Sequence, residues 1–88
     1  MKAAEARELS DQSNREIAAL RQFEATHSAL IDEEISQAAQ IGQYQITYLW
    51  PSESKAHQID SLARKYRRRG YEAISKVDDS RFSTTFLW

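Results

Sequence analysis

The chain holds only two glycines, Gly42 and Gly70, and each stands where an amphipathic helical pattern ends. Glycine is favoured just past a helix end because it accepts the left-handed conformation that the terminating turn requires. A strand pattern follows Gly42, and two follow Gly70. The order is therefore helix, strand, helix, strand, strand. This predicts an α+β fold: a long N-terminal helix, then strand-helix-strand-strand, with two helices packed on a small, mainly antiparallel three-stranded sheet. At 88 residues the chain has material for one domain and a modest core.

The first helical pattern sets the domain boundary. Ala3 to Leu9 are good helix formers with few apolar positions, so residues 1–12 are expected to form a flexible or short helical arm, with residues 13–88 as the domain. Ser13-Asn14-Arg15-Glu16 has the form of a capping box, which places the start of the long helix at Ser13. Ile17, Leu20, Phe23, Leu30, Ile31, Ile35, Ala38, Ala39 and Ile41 then recur at helical spacing. The row Ile17, Glu24, Ile31, Ala38 weakens at its acid. Ser28, ahead of Asp32-Glu33-Glu34, is a candidate second cap, but no Pro or Gly interrupts the run and one continuous helix is expected. Such a helix, about 40 Å long, exceeds what a sheet of three short strands can cover. Its N-terminal half, carrying Leu9, Ile17, Leu20 and Phe23, is expected to project and to bury those residues against another copy or another protein. A homo-oligomer is the expected state.

From Gln43 to Trp50 the chain alternates, with Tyr44, Ile46, Tyr48 and Trp50 on one face and Gln45, Thr47 and Leu49 on the other, as a half-buried strand does. Pro51 stops it, and Ser52 or Ser54 can cap the next helix. In that helix Ala56, Ile59, Leu62, Ala63 and Tyr66 form the apolar stripe. Tyr71 to Val77 and Arg81 to Trp88 read as a hairpin around a three-residue turn, Asp78-Asp79-Ser80. Phe82, Thr84, Phe86 and Trp88 share one face of the last strand. Ending at Trp88 with no polar residue to blunt it, that strand is expected to be an exposed sheet edge.

Composition excludes several classes. With 41% hydrophobic and 28% charged residues, the chain is neither a membrane protein nor an acidic disordered tail. It has no Cys, hence no disulfide and no cysteine-ligated zinc. Met1-Lys2 leads into a charged stretch rather than the apolar run of a signal peptide, so residence in the cytosol, or in a particle assembled there, is expected. The first 42 residues carry a formal charge of −4 and the remainder +3, so opposite halves can attract within the fold or between subunits.

The densest charge run is Arg64-Lys65-Tyr66-Arg67-Arg68-Arg69, and clustered bases neutralise phosphates. Arg64, Lys65, Arg68 and Arg69 are the residues that would contact nucleic acid. Against this, cations in the last turn of a helix offset its dipole, and these positions wrap around the helix without forming one stripe. The strand aromatics alternate as core residues do, and base-stacking platforms would look the same. Asp32, Glu33 and Glu34 diverge by about 100° each and do not converge on a metal. His27 and His57 fall in different elements without HExxH spacing, as surface or boundary residues do. There is no GxSxG and no phosphate loop, so no enzymatic activity, cofactor, metal or small-molecule substrate is expected.

The run Ala4-Glu5-Ala6-Arg7-Glu8-Leu9-Ser10, the Ile35, Ala38, Ala39, Gly42 spacing with Ile41 between, the helix leading into Gly70-Tyr71 and the closing aromatic strand resemble small proteins encoded by tailed bacteriophages. The resemblance covers most of the chain and rests on structural residues. It implies an αβαββ fold and a phage origin, and carries no catalytic or ligand residue onto this sequence. Asp11 to His27 is longer than the pattern and is where a partner would bind. The expected function is a non-enzymatic structural or accessory component of a virion, binding phage structural proteins or itself through the first helix and a sheet edge. The alternative is a small phage protein of the host cytoplasm that binds nucleic acid or a host factor through the basic helix end.

Overall fold

A computed structural model describes residues 2–88. The elements are α1 (Ala3–Gln40), β1 (Gln45–Leu49), α2 (Ala56–Arg68), β2 (Glu72–Asp78) and β3 (Arg81–Leu87), in the α+β arrangement read from the sequence. All strands pair antiparallel, in the order β1-β3-β2. α1 lies over β1 and α2 over β2, and the C-terminal half of α1 packs beside α2.

α1 is one uninterrupted helix of 38 residues whose N-cap is Lys2. The capping box expected at Ser13 is not used, because Ser13 and Glu16 lie inside the helix. A cap matters only where the hydrogen-bond ladder stops, and the Ala, Glu, Arg and Leu residues before Ser13 favour continuing it. Ser28 caps nothing for the same reason. At 1.5 Å per residue α1 is about 57 Å long, and it sets the 59 Å long axis of the molecule.

Both helices end in the same way. Gly42 N–H donates to Ala39 C=O and Gln43 N–H to Ala38 C=O; Gly70 N–H donates to Arg67 C=O and Tyr71 N–H to Tyr66 C=O. This paired closure is a Schellman motif, which needs a left-handed residue at its turn. Gly42 and Gly70 supply it, with φ of 80° and 98°.

Three local expectations differ from the structure. First, β3 is the central strand and not an edge: Trp50 N–H donates to Phe82 C=O and Trp88 N–H to Tyr44 C=O, so the even residues of β3 bond β1 while the odd ones face β2. Second, Asp78 pairs with Arg81, which leaves a two-residue connection of Asp79 and Ser80. Both have positive φ, 49° and 62°, giving the mirror-image turn whose twist matches a hairpin. Third, neither Ser52 nor Ser54 caps α2. Its N-cap is Lys55, whose N–H is accepted by Gln58 Oε1 at 3.2 Å.

The core lies between the helices and one sheet face. Ile31 and Ile35 of α1, Ile59, Leu62 and Tyr66 of α2, and Tyr48, Trp50 and Phe86 from the sheet are buried together. The alternation read in β1 and β3 is the alternation observed, except that Tyr44 and Trp88, paired at the end of the sheet, are exposed. The opposite sheet face is open, with Leu49 and Ile74 exposed and the Thr47 and Thr85 hydroxyls 3.1 Å apart.

Candidate functional site

The four α1 residues read as one interface divide into three situations. Leu9, 52% exposed, lies on the part of the helix that extends past the body, whereas Ile17, 48% exposed, borders an open cleft with Leu20 and, from α2, His57. Leu20 is half-buried beside Lys55, His57 and Gln58 at the start of α2. Phe23 is half-buried and packs against the core, stacked on Trp50 with ring centroids 5.7 Å apart and planes at 16°. Phe23 is therefore corrected from partner contact to packing residue. β1, held to β3 through the Trp50 N–H bond to Phe82 C=O, carries Trp50 beneath α1, a long-range contact that helical spacing alone does not disclose.

The next residue, Glu24, is only 8% exposed. Its carboxylate accepts from Ser61 Oγ at 2.8 Å and from the Lys65 ammonium, tying α1 to α2. Burial alone would raise this carboxyl, but the Lys65 and Ser61 hydrogen bonds and the lysine charge outweigh it and hold the group below its ordinary value. An acid inside the apolar row of α1 was the available signal for this contact.

Most of the basic run is engaged within the chain. Arg64 pairs with Asp60 at 2.5 Å, Lys65 with Glu24, and Arg69 approaches Asp32 at 3.9 Å while lying over the Tyr66 ring. Arg67, which was not among the residues assigned to nucleic acid, donates to Ala73 C=O at 2.7 Å. Among the described residues, Arg68 alone in this run has neither an ion pair nor a side-chain hydrogen bond. A phosphate backbone would have to compete with three carboxylates already in place.

The acids of α1 face different neighbours, as their spacing requires. Asp32 accepts from the Tyr66 hydroxyl at 2.5 Å, Glu33 from Gln37 at 3.5 Å, and Glu34 lies beside β1. Burial and the Asp32 carboxylate push the Tyr66 phenol well above its ordinary range. Among the described residues no three His, Asp or Glu side chains gather as a metal would need.

His27 is a boundary residue with a specific partner. Nδ1 lies 2.8 Å from the Tyr48 hydroxyl, and the ring packs against Phe23 and Trp50. Burial pulls its pKa below the ordinary value. The remaining core polar atoms form a chain: Trp50 Nε1–H donates to Thr84 Oγ1 at 2.8 Å, and Thr84 meets Ser75 Oγ at 2.9 Å. Beside His27 an open cleft of about 350 Å³ is lined by Phe23, Glu53, Ser54 and Gln58. Ser54 is buried, and its hydroxyl has no partner among the described residues.

These contacts organise a scaffold that leaves the α1 overhang, the β1 edge and the open sheet face exposed. No helix among the described residues is long and apolar enough to cross a membrane. The chain matches no protein-family model, no curated protein and no solved structure.

Proposed function

We propose that the protein is a non-enzymatic structural or accessory component of a phage particle that binds other proteins, or a second copy of itself, through the α1 overhang and a sheet edge. The observation that carries this reading is the overhang. Leu9 stands half-exposed on a helix that continues past every other element, and Ile17, similarly exposed, sits at the base of that extension beside His57. A helical extension of this kind presents apolar side chains and no catalytic group, and helix-on-helix or helix-in-groove binding is what such a surface does. The phage assignment rests on the resemblance drawn from the sequence.

Two measurements test it. Mass spectrometry of purified, salt-washed particles is expected to detect the protein; absence there together with abundance in infected cytosol overturns the virion reading. Replacing Leu9 and Ile17 with Asp is expected to reduce the oligomer seen by light scattering while the circular dichroism of the body is kept. An unchanged oligomer removes α1 as the joint.

A further inference from the structure

The two edges of the sheet are unequal. The hydrogen-bond phase set by Trp50 to Phe82 and Trp88 to Tyr44 directs the backbone of Ile46 and Tyr48 toward β3, and that of Gln45, Thr47 and Leu49 outward. On the other edge the same alternation, counted from the Asp78 and Arg81 pair, turns Ala73, Ser75 and Val77 outward. There the Arg67 guanidinium covers the Ala73 carbonyl at 2.7 Å, placing a charge on the edge. Charges and side chains that occupy outward backbone groups are how sheet edges resist pairing. The outward N–H and C=O groups of β1 have no partner among the described residues.

A groove runs alongside β1. Its far wall is the last turns of α1, from Glu34, Gln37, Ala38 and Ile41, and its near wall is β1 with Ile46, bordering an open volume of about 520 Å³. Ile41 is 74% exposed here. A strand laid on this edge would sit about 4.8 Å from β1 and direct alternate side chains into the groove.

The helix layer decides what kind of strand fits. A second copy pairing β1 with β1 would bring its own α1, which lies over its β1. Two strands at about 4.8 Å would then press together helices that need 8–10 Å between axes, a misfit of roughly twofold. An extended segment with no helix behind it has no such conflict. The lining chooses its side chains: Ala38, Ile41 and Ile46 are apolar, and Glu34 is the one charged residue among them.

We propose that the free edge of β1, walled by α1, binds an extended peptide segment of a partner protein that carries an apolar and a basic side chain on alternate positions facing the groove. Backbone hydrogen bonds to Gln45, Thr47 and Leu49 hold the segment, and Glu34 takes the base. This rests on the reading of the protein as a protein-binding component and names the chemistry of one partner.

The test uses the full chain and a short fluorescein-labelled peptide alternating Val and Lys with Thr, read by fluorescence anisotropy. Binding is expected to weaken at least tenfold in Thr47→Pro, which removes an outward N–H and no ladder bond, and to be unchanged in Val77→Pro on the other edge. Glu34→Lys is expected to lose the Lys peptide and to gain the matching Glu peptide. Hydrogen exchange at Thr47 and Leu49 should slow when the peptide is added. Equal binding of a peptide N-methylated at alternate amides overturns the proposal, because no backbone pairing is then involved. No peptide binding, with Thr47→Pro converting a dimer to a monomer, overturns it in favour of a second copy. Should Thr47→Pro not fold, the Glu34 reversal and the N-methylated peptide still decide. A protein missing from particles that binds the peptide keeps the edge site and loses the virion reading; one found in particles that does not bind it loses only the edge site.

Discussion

The two halves of α1 share one backbone ladder but are held by different forces. From Glu24 to Ala38 the helix buries Glu24, Ile31, Ile35 and Ala38 against α2 and the sheet, while from Ala3 to Ala19 every residue is exposed. An isolated helix shorter than about 12–15 residues is marginal because its nucleus is costly. The packed half supplies that nucleus. The overhang then only propagates, on residues such as Ala3, Ala4, Ala6, Glu8 and Leu9 that favour helix and include no breaker. Packing fixes one half in place, and local propensity extends the other without fixing what it meets.

The sharpest way to separate the halves is a cavity in the packed one. Ile31 is completely buried between the helices and the sheet. Ile31→Ala is expected to cost about 2–5 kcal/mol in chemical denaturation, from lost transfer free energy and the cavity left behind. A cost below about 1 kcal/mol would mean that the packed half is no better anchored than the overhang.

The next largest effect lies where the helix enters the body. Glu24→Gln keeps an acceptor for Ser61 and loses the charge facing Lys65. Because the Lys65 side chain is 48% exposed, solvent screening limits the expected loss to about 0.5–1.5 kcal/mol at neutral pH. The sign of the pH dependence follows from the lowered carboxyl. A group whose folded pKa is depressed contributes stability that is complete above its unfolded value and lost as pH falls through the folded one. Wild type and variant should therefore converge in acid; a difference that stays constant down to acid pH would assign the tie to shape and not to charge.

What could be read without the structure has a common property: it depends on neighbours in sequence. The Schellman stops at Gly42 and Gly70 were legible because a left-handed residue at a helix end is a local demand. The two faces of β1 were legible because pleating is local. The strand order was not, since either edge of a hairpin can accept β1 and the choice is made by how α1 and α2 share the sheet. Phe23 resembled the exposed residues of its own helix until Trp50 came beneath it. The basic run showed its charge but not its partners, because Glu24 and Asp32 are distant in sequence and Arg67 meets a carbonyl on an edge strand. Ser13 misled for the opposite reason: its local signal is sound, but the ladder does not stop there.

Ser13 also allows the overhang to be cut loose in place. Ser13→Pro removes a ladder bond and sets a ring against the preceding turn, which costs a helix interior about 3 kcal/mol. Because residues 3–12 are exposed throughout, that cost should be met by unwinding them and not by unfolding the body. The expected result is a lower helical circular dichroism signal with the melting temperature nearly kept, within about 1 kcal/mol. A melting temperature that falls as far as in Ile31→Ala would show that the halves unfold as one unit.

The smallest effect carries the functional question. Leu9 is half-exposed and lies far from the core, so Leu9→Ala at low protein concentration should change stability by no more than about 0.5 kcal/mol. If the overhang self-associates, the wild-type melting temperature rises with protein concentration, since anything that binds the folded state stabilises it by mass action. Leu9→Ala should flatten that rise while leaving the low-concentration value alone. A rise that is equally steep in both proteins would place association elsewhere and leave the overhang for a different partner. The comparison of the two halves thus becomes a slope against concentration, measurable even where the single-concentration difference is lost in error.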